Sequence, residues 1–218
     1  MVRRTLSGDI DIGIYGASLY VKTKALYPSL HYLGTSVWKT TGKYTYYSYL
    51  ITHRASGLDS LDLLKGKTFA FGSRESTGGF TYPRAWMKVN HLNPGAFFKQ
   101  VYFLGTHTHV LEEIVRGTID AGVVSPGPLN KAIAKYGPVF RKLRKFGPIP
   151  GTVIACTDAV SEKNAQKIIQ RIQILPEDIT AVKEFDFSGF THLSDRSYDI
   201  LRGAIEQVRA PHTISDGR

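Results

Sequence analysis

The 218-residue sequence contains one cysteine, Cys156, and this scarcity excludes an internal disulfide and any zinc site built from several cysteines. No apolar run approaches about 20 residues, so no segment is predicted to span a membrane. The N-terminal stretch MVRRTLSGDIDIG carries two arginines but lacks the apolar centre of a signal peptide. Twelve tyrosines and eleven phenylalanines, in contrast, exclude a disordered chain.

Acidic residues are also few, because 18 Asp and Glu face 28 Lys and Arg and give a formal net charge of +10. This excess predicts attraction for anions, which include nucleic acid, an anionic membrane face and a small acidic solute. The densest basic run, Arg141–Lys145, has no base-stacking aromatics or recognition-helix motif beside it. We therefore predict a solvated strand or loop there and no nucleic-acid partner.

Strand and helix patterns alternate along the chain, which predicts an α/β fold with largely parallel sheets. Predicted strands cover residues 8–14, 30–38, 44–53, 67–71, 97–104, 119–124, 139–146 and 152–156. Predicted helices cover residues 17–26, 58–64, 107–116, 129–136, 161–175, where Pro176 ends the helix, and 198–208.

Two interruptions, His53–Gly57 and Gly147–Gly151, bracket a middle segment with its own β-α-β-α-β-α run. A chain that leaves one lobe, builds a second and returns through a second hinge has this organisation. We predict a first lobe from residues 1–53 and 150–218, and a complete inserted lobe from residues 54–149.

The stretch FGSRESTGGFTYPRAW, residues 71–86, places Ser-Thr-Gly-Gly at a predicted strand-to-helix corner. A helix N-terminus offers unpaired N–H groups to an anion, and glycines let the anion approach the backbone closely. Pro83 would kink a helix that began at Thr77, whereas a helix that began near Tyr82 would leave Ser76–Gly79 as a loop. An anion cradle and an ordinary capped turn both fit this pattern.

The sequence gives less support to a P-loop, a nucleophilic serine or a metal site. Gly66-Lys67-Thr68 lacks the upstream glycine of a P-loop, and Ser76 lacks the G-x-S-x-G elbow of a nucleophile. His107 and His109, two residues apart, do not share a helix face, so no metal site is predicted. His107 begins a helix directly after a strand, where it can donate to an anion or serve as a helix cap.

Three segments together carry a family resemblance: YYSYLITHRASGLDSLDLLKGKTFAFGSRESTGGFTYPRAWM, FFKQVYFLGTHTHVLEEIVRGTIDAGVV and GPIPGTVIA. From about residue 7 to residue 208 the chain resembles the substrate-binding proteins of phosphonate, phosphite and phosphate ABC transporters. The resemblance implies a type 2 periplasmic-binding-protein fold: two α/β lobes with mixed, mostly parallel sheets, two hinge crossings, and the ligand in the cleft.

The resemblance also implies roles for individual residues. Ser76 and Thr77 match the start of the family's anion-binding S-T-S, and Gly78 and Gly79 would contribute backbone N–H groups. His107 matches the family's ligand-binding His. Two further ligand-binding positions match Tyr46 and Thr152, while Asp120 matches an aspartate that is more often structural.

Where relatives that bind aminoalkyl phosphonates place carboxylates, this chain has Gly127 and Thr152. A buried ammonium would lack its counter-ion there, so we do not expect an aminoalkyl ligand.

The family would make the protein a non-enzymatic, periplasmic or extracytoplasmic carrier of a small oxyanion that feeds an ABC-transporter permease, with no metal or cofactor. A ligand-sensing domain of a receptor is the main alternative. An enzyme of the thiamine-pyrimidine synthesis type is a lesser one, because Cys156 lies in the apolar stretch TVIACT. The family has further strand-helix units before GDIDIGI, so we expect a shortened first lobe that is poorly soluble or oligomeric.

Overall fold

The computed structural model describes residues 1–175 and 187–209, which form a mixed α/β structure. The predicted helix stop at Pro176 lies outside the described residues. The chain divides into two compact units. The first contains Met1–Tyr46 and Pro150–Arg202, and the second contains Tyr47–Ile149 and the residues from Gly203 onward.

The helices are α1 Val2–Leu6, α2 Ala17–Leu26, α3 Tyr82–Val89, α4 Pro94–Phe97, α5 His107–Arg116, α6 Pro126–Tyr136, α7 Glu162–Ile172 and α8 Asp199–Arg209. The strands are β1 Ile12–Tyr15, β2 His31–Trp38, β3 Thr45–His53, β4 Thr68–Phe71, β5 Gln100–Phe103, β6 Ala121–Val124, β7 Phe140–Pro150, β8 Val153–Cys156 and β9 Phe187–Thr191.

In the first unit, four strands form a sheet in the order β1-β8-β2-β9, and the three strand pairs are antiparallel. The amphipathic helix α7 begins at Ser161, whose Oγ accepts from the N–H of Asn164 at 3.4 Å. Its Ala165 packs with Leu33, Ile154 and Phe190 in one hydrophobic cluster. The mixed α/β class is confirmed, but parallel pairing is confined to the other sheet, because β8 returns to this unit running against both β1 and β2.

In the second unit, five strands form a sheet in the order β5-β4-β6-β3-β7. Strand β4 lies parallel to both β5 and β6, and β3 lies antiparallel to β6. The sheet is covered on both faces: Phe69 and Phe71 of β4 belong to one buried cluster, and Ala70 belongs to the other. Burial of both faces explains why β4 has the continuous apolar sequence FAF rather than an alternating one.

Several predicted boundaries differ from the structure, and three of the differences have a clear local description. The segment predicted as a helix over residues 58–64 contains only a 3₁₀ turn, Asp62–Leu64, because Asp and Ser compete with the backbone for helical hydrogen bonds. Strand β7 continues through the predicted break to Pro150. The division between the units falls after Tyr46 instead of after His53, because Tyr49–Thr52 of β3 pair with β6. Within the described ranges, no helix has the length and apolarity needed to cross a membrane.

Candidate functional site

Three strand-to-helix corners lie along one edge of the second unit's sheet. Strands β5, β4 and β6 are parallel neighbours, so their carboxyl ends meet at the same edge. Ser76 follows β4, His107 follows β5, and Ser125 follows β6. In open α/β sheets this edge is where ligands usually bind.

The corner after β4 is a π-helical turn, Thr77–Thr81, that continues directly into α3. The backbone carbonyl of Ser76 accepts from the N–H groups of Phe80 at 3.1 Å and Thr81 at 3.0 Å. Pro83 is then the second residue of the α-helix, where its missing N–H breaks no helical hydrogen bond. The turn thus accommodates both the Ser-Thr-Gly-Gly cap and the proline that follows it.

Ser76 caps this turn, since its Oγ accepts from the N–H of Gly79 at 2.9 Å. The Gly79 N–H is therefore engaged by Ser76 in this structure, and its contact with an anion stays a prediction. The N–H of Gly78 precedes the ladder of the π-helical turn and so has no partner within that ladder. Thr77 is buried, with 4% of its surface exposed.

Gly79 lies against the ring of His107. A Cβ built at Gly79 would come within 2.6 Å of Cε1 of His107 and 2.8 Å of Oγ of Ser76. Contacts that short do not occur in folded proteins, so a side chain at this position would displace the imidazole or the serine. Glycine is needed at position 79 for close packing, in addition to any approach by a ligand.

His107 is the first residue of α5, and Thr106 is the residue that caps this helix, through its Oγ1 and the N–H of His109. The imidazole instead points toward two serines. Its Nε2 lies 3.4 Å from Oγ of Ser76 and 3.2 Å from Oγ of Ser125. We name these three residues the Ser–His–Ser cluster.

The other ring nitrogen of His107, Nδ1, is buried and makes no hydrogen bond of ordinary length and angle in the part of the chain that the structure describes, so the Val123 backbone acts on the ring only weakly. Burial lowers the pKa of His107 below its ordinary value, and the backbone of Val123 raises it to a smaller extent. The ring is therefore neutral at pH 7 in the absence of a bound charge.

The sequence pattern does not single out Ser125, because it predicts that α6 begins at Leu129. Ser125 occupies the N-cap position of α6, yet its side chain makes no cap hydrogen bond. The signal that could have revealed it is a serine directly after the buried strand AGVV and before Pro126, which favours the first turn of a helix.

The predicted residues Tyr46 and Thr152 belong to the first unit. The ring of Tyr46 lies 5.1 Å from that of Trp38, measured between centroids. Thr152 exchanges backbone contacts with Ser36, whose N–H donates to the Thr152 carbonyl at 2.8 Å and whose Oγ accepts from the Thr152 N–H at 3.0 Å. Their ligand contacts stay predictions.

Asp120 joins two strands rather than lining a site. Its Oδ2 accepts from both the N–H and the Oγ1 of Thr68, each at 2.8 Å, and its own N–H donates to Oγ1 of Thr68 at 2.9 Å. These bonds tie the start of β6 to the start of β4, which fits the structural role that the resemblance implies for Asp120.

Arg84, in α3, is a buried cation that the sequence did not single out. Only 4% of its surface is exposed, and burial lowers its pKa. Among the residues that the structure describes, no carboxylate forms an ion pair with it. Arg84 therefore adds unneutralised positive charge to the helix that begins at the Ser76 corner.

The described residues contain no group of three or more His, Cys, Asp or Glu side chains arranged to hold a metal ion. His109, which the sequence pairs with His107, turns elsewhere: its Nδ1 lies 3.1 Å from the Leu104 carbonyl and its Nε2 3.5 Å from Oε1 of Glu113. Cys156 is fully buried in β8, and burial raises the pKa of its thiol, which is the opposite of what a reactive cysteine requires.

Solved structures share this fold. A binding protein component of an ABC phosphonate transporter from Pseudomonas aeruginosa aligns with a TM-score of 0.80 at 18% identity, over 95% of this chain and 72% of that one. PhnD1 from Prochlorococcus marinus, in complex with methylphosphonate, aligns with a TM-score of 0.79 at 17% identity, over 95% and 81%. A Xanthomonas citri protein bound to ATP aligns with a TM-score of 0.79 at 20% identity, over 96% and 81%.

The family model described as the periplasmic substrate-binding protein of the phosphonate ABC transporter matches residues 1–198. The prediction of a two-lobed α/β binding-protein fold agrees with the fold of these solved structures. Members of this family bind and deliver substrates and are not enzymes, so membership implies a small-molecule ligand and a transporter permease as partner. The chain belongs to the family of periplasmic substrate-binding proteins of phosphonate ABC transporters.

Proposed function

We propose that this protein binds a small oxyanion, such as phosphate, phosphite or an alkylphosphonate, outside the cytoplasm and delivers it to an ABC-transporter permease. The observation that carries the proposal is the meeting of Ser76 and His107 at neighbouring strand ends. The family resemblance independently implies an anion contact for both side chains.

The chemistry of the corner supports an anionic ligand. Its members supply hydroxyl groups, an imidazole and the N–H groups of a helical N-terminus, and none of these groups carries a negative charge. Ser76, Thr77, Gly78 and His107 are the proposed ligand contacts in the second unit. Tyr46 and Thr152 are the proposed contacts contributed by the first unit, on the strength of the family resemblance.

The proposal is tested by calorimetric titration with methylphosphonate, phosphite and phosphate in an anion-free buffer, comparing the unmodified protein with Ser76→Ala/Thr77→Val. A hydrogen bond to a charged group contributes roughly 1.5–3 kcal/mol, so the double variant should bind at least about tenfold more weakly. Because Ser76 also caps a helix, its loss should lower the free energy of unfolding by about 1 kcal/mol.

Ser161→Ala is the matched control, since it removes the serine cap of α7 in the first unit. It should cost similar stability and leave affinity unchanged. Equal affinity of the double variant and the unmodified protein for each anion would show that the corner does not hold the ligand.

A further inference from the structure

The hydroxyl of Ser125 is not used as its position would suggest. A serine at a helix N-cap normally accepts from an N–H of the first turn, as Ser76 and Ser161 do. The side chain of Ser125 makes no such bond, and its Oγ lies 3.2 Å from Nε2 of His107 instead. Ser76 and Ser161 each accept from the N–H three residues on, but the third residue after Ser125 is Pro128, which has no N–H. The Ser125 hydroxyl is therefore available to His107, 18 residues away in the sequence.

The hydrogens available around Nε2 of His107 indicate what its contact with Ser125 can do. If Nε2 carries the proton, both serine oxygens accept from it and both hydroxyl hydrogens remain to be donated elsewhere. If Nε2 carries the lone pair, it accepts one good hydrogen bond, and Ser125 at 3.2 Å is closer than Ser76 at 3.4 Å. Ser125 matters to Ser76 in the second case, because there it satisfies the Nε2 lone pair and leaves the hydroxyl hydrogen of Ser76 to donate.

We infer that Ser125 is a positioning residue of the oxyanion site: it satisfies Nε2 of His107 and thereby leaves the Ser76 hydroxyl to donate to the ligand. The inference rests on the proposed function, because it assigns the Ser76 donor to an oxyanion. Ser76 is well placed for this role, since its oxygen already accepts from the Gly79 N–H, an arrangement that fixes the oxygen and lets the hydroxyl hydrogen turn.

Without the Ser125 hydroxyl, Nε2 of His107 would take its hydrogen bond from Ser76. The Ser76 hydrogen would then point at the ring and be withdrawn from the anion. Ser125 should therefore act on affinity through Ser76, and its removal should matter only while Ser76 is present.

The test is a double-mutant cycle with methylphosphonate as the probe, measured by calorimetry on the full chain at alkaline pH, above the raised pKa of His107 in the complex, so that the ring stays neutral. Ser125→Ala should weaken binding about tenfold, in line with the loss of one hydrogen bond to a charged group. Ser125→Thr, which keeps a hydroxyl, should restore most of the affinity. In the Ser76→Ala background, adding Ser125→Ala should weaken binding no further.

A spectroscopic readout separates positioning from a general structural effect. The ring ¹⁵N resonances of His107 should shift in ligand-free Ser125→Ala and return toward their original positions in Ser125→Thr. Thermal stability should change less in Ser125→Ala than in Ser161→Ala, because only Ser161 caps its helix.

Unchanged affinity of Ser125→Ala in a protein that binds methylphosphonate and is weakened by Ser76→Ala would overturn this inference and leave the proposed function intact. An equal loss in both backgrounds would also overturn it, because Ser125 would then contact the ligand independently of Ser76. If the unmodified protein binds none of the oxyanions tested, the proposed function and this inference fall together.

Discussion

At the scale of single residues, the site depends on the protonation of His107. Burial keeps the ring neutral when the site is empty, whereas an oxyanion beside it favours the imidazolium. The sequence pattern and the family resemblance together drew attention to Ser76 and His107, because each directly follows a predicted strand, and their ligand contacts stay predictions. The sequence did not single out Ser125, because its partner His107 is distant in sequence. It did not single out Arg84 either, because burial without a carboxylate partner among the described residues is visible only in the structure.

Binding should raise the pKa of His107. Between the lowered pKa of the empty site and the raised pKa of the complex, each binding event takes up a proton, so affinity should increase as the pH falls through that window. The measurement is an NMR titration of the His107 ring with and without methylphosphonate. The ring resonances of the exposed His109, on the same helix, are the internal control and should not respond to the ligand. A His107 pKa that stays constant or falls on binding would contradict its role as a donor.

At the scale of elements, the bounds of α2 and α5 were predicted to the residue, whereas α7 ends at Ile172 and not at the predicted residue 175. Helix α2 has its predicted bounds, and α5 ends at Gly117, whose φ of 76° is the left-handed conformation that favours glycine. The π-helical turn at Thr77–Thr81 could not be predicted, because it combines the cap at Ser76, the proline at position 83 and the close packing of the His107 ring on Gly79. Of these three features, only the packing of His107 on Gly79 involves a distant part of the sequence.

Gly79→Ala should disturb this element, since the added Cβ would lie 2.6 Å from the His107 ring. We expect the free energy of unfolding to fall by about 1–3 kcal/mol, as for other overpacked sites, and methylphosphonate binding to weaken at least tenfold. Denaturant unfolding and calorimetry measure the two effects.

Gly203→Ala in α8 is the control for Gly79→Ala, because a Cβ there meets nothing within 4 Å. It should raise stability by about 0.5–1 kcal/mol, the usual gain for alanine over glycine inside a helix. If Gly79→Ala behaved like Gly203→Ala, the close packing of His107 on the turn would be disproved.

At the scale of the whole molecule, the alternation of elements predicted the α/β class and two units, but not the pairing within each sheet. Parallel pairing needs consecutive crossovers, which β4, β5 and β6 have. The first unit is assembled from distant segments, and its antiparallel order β1-β8-β2-β9 depends on which strand inserts between which others. Local patterns carry no information on that insertion.

The ligand should lack an amine. The family resemblance predicts that Gly127 and Thr152 occupy the positions where a carboxylate would pair with an ammonium, so 2-aminoethylphosphonate should bind no more tightly than ethylphosphonate. Competition calorimetry with the two compounds measures the difference. A clear preference for the amine would mean that another acid, such as Glu112, lies near the ligand.

Strand β1 should promote association between copies. It lies at one edge of its sheet, and Ile12 and Ile14 are 45% and 40% exposed. Exposed apolar edge strands invite pairing with another chain. Sedimentation velocity should show concentration-dependent association that Ile12→Lys/Ile14→Lys reduces. Leu26→Lys, which alters an exposed apolar residue on α2, should leave association unchanged. Association that persists in the double variant would exclude β1 as the contact.

The location of the bound oxyanion is the central claim, and backbone amide NMR during a methylphosphonate titration tests it most directly. We predict that the largest ¹H–¹⁵N shifts in the second unit occur at Thr77, Gly78 and Gly79 and at the N-termini of α5 and α6. The claim would be contradicted by saturable binding that leaves these amides unmoved and instead shifts those around the surface cavity of about 390 Å³ lined by His31, Asp158 and Gln166.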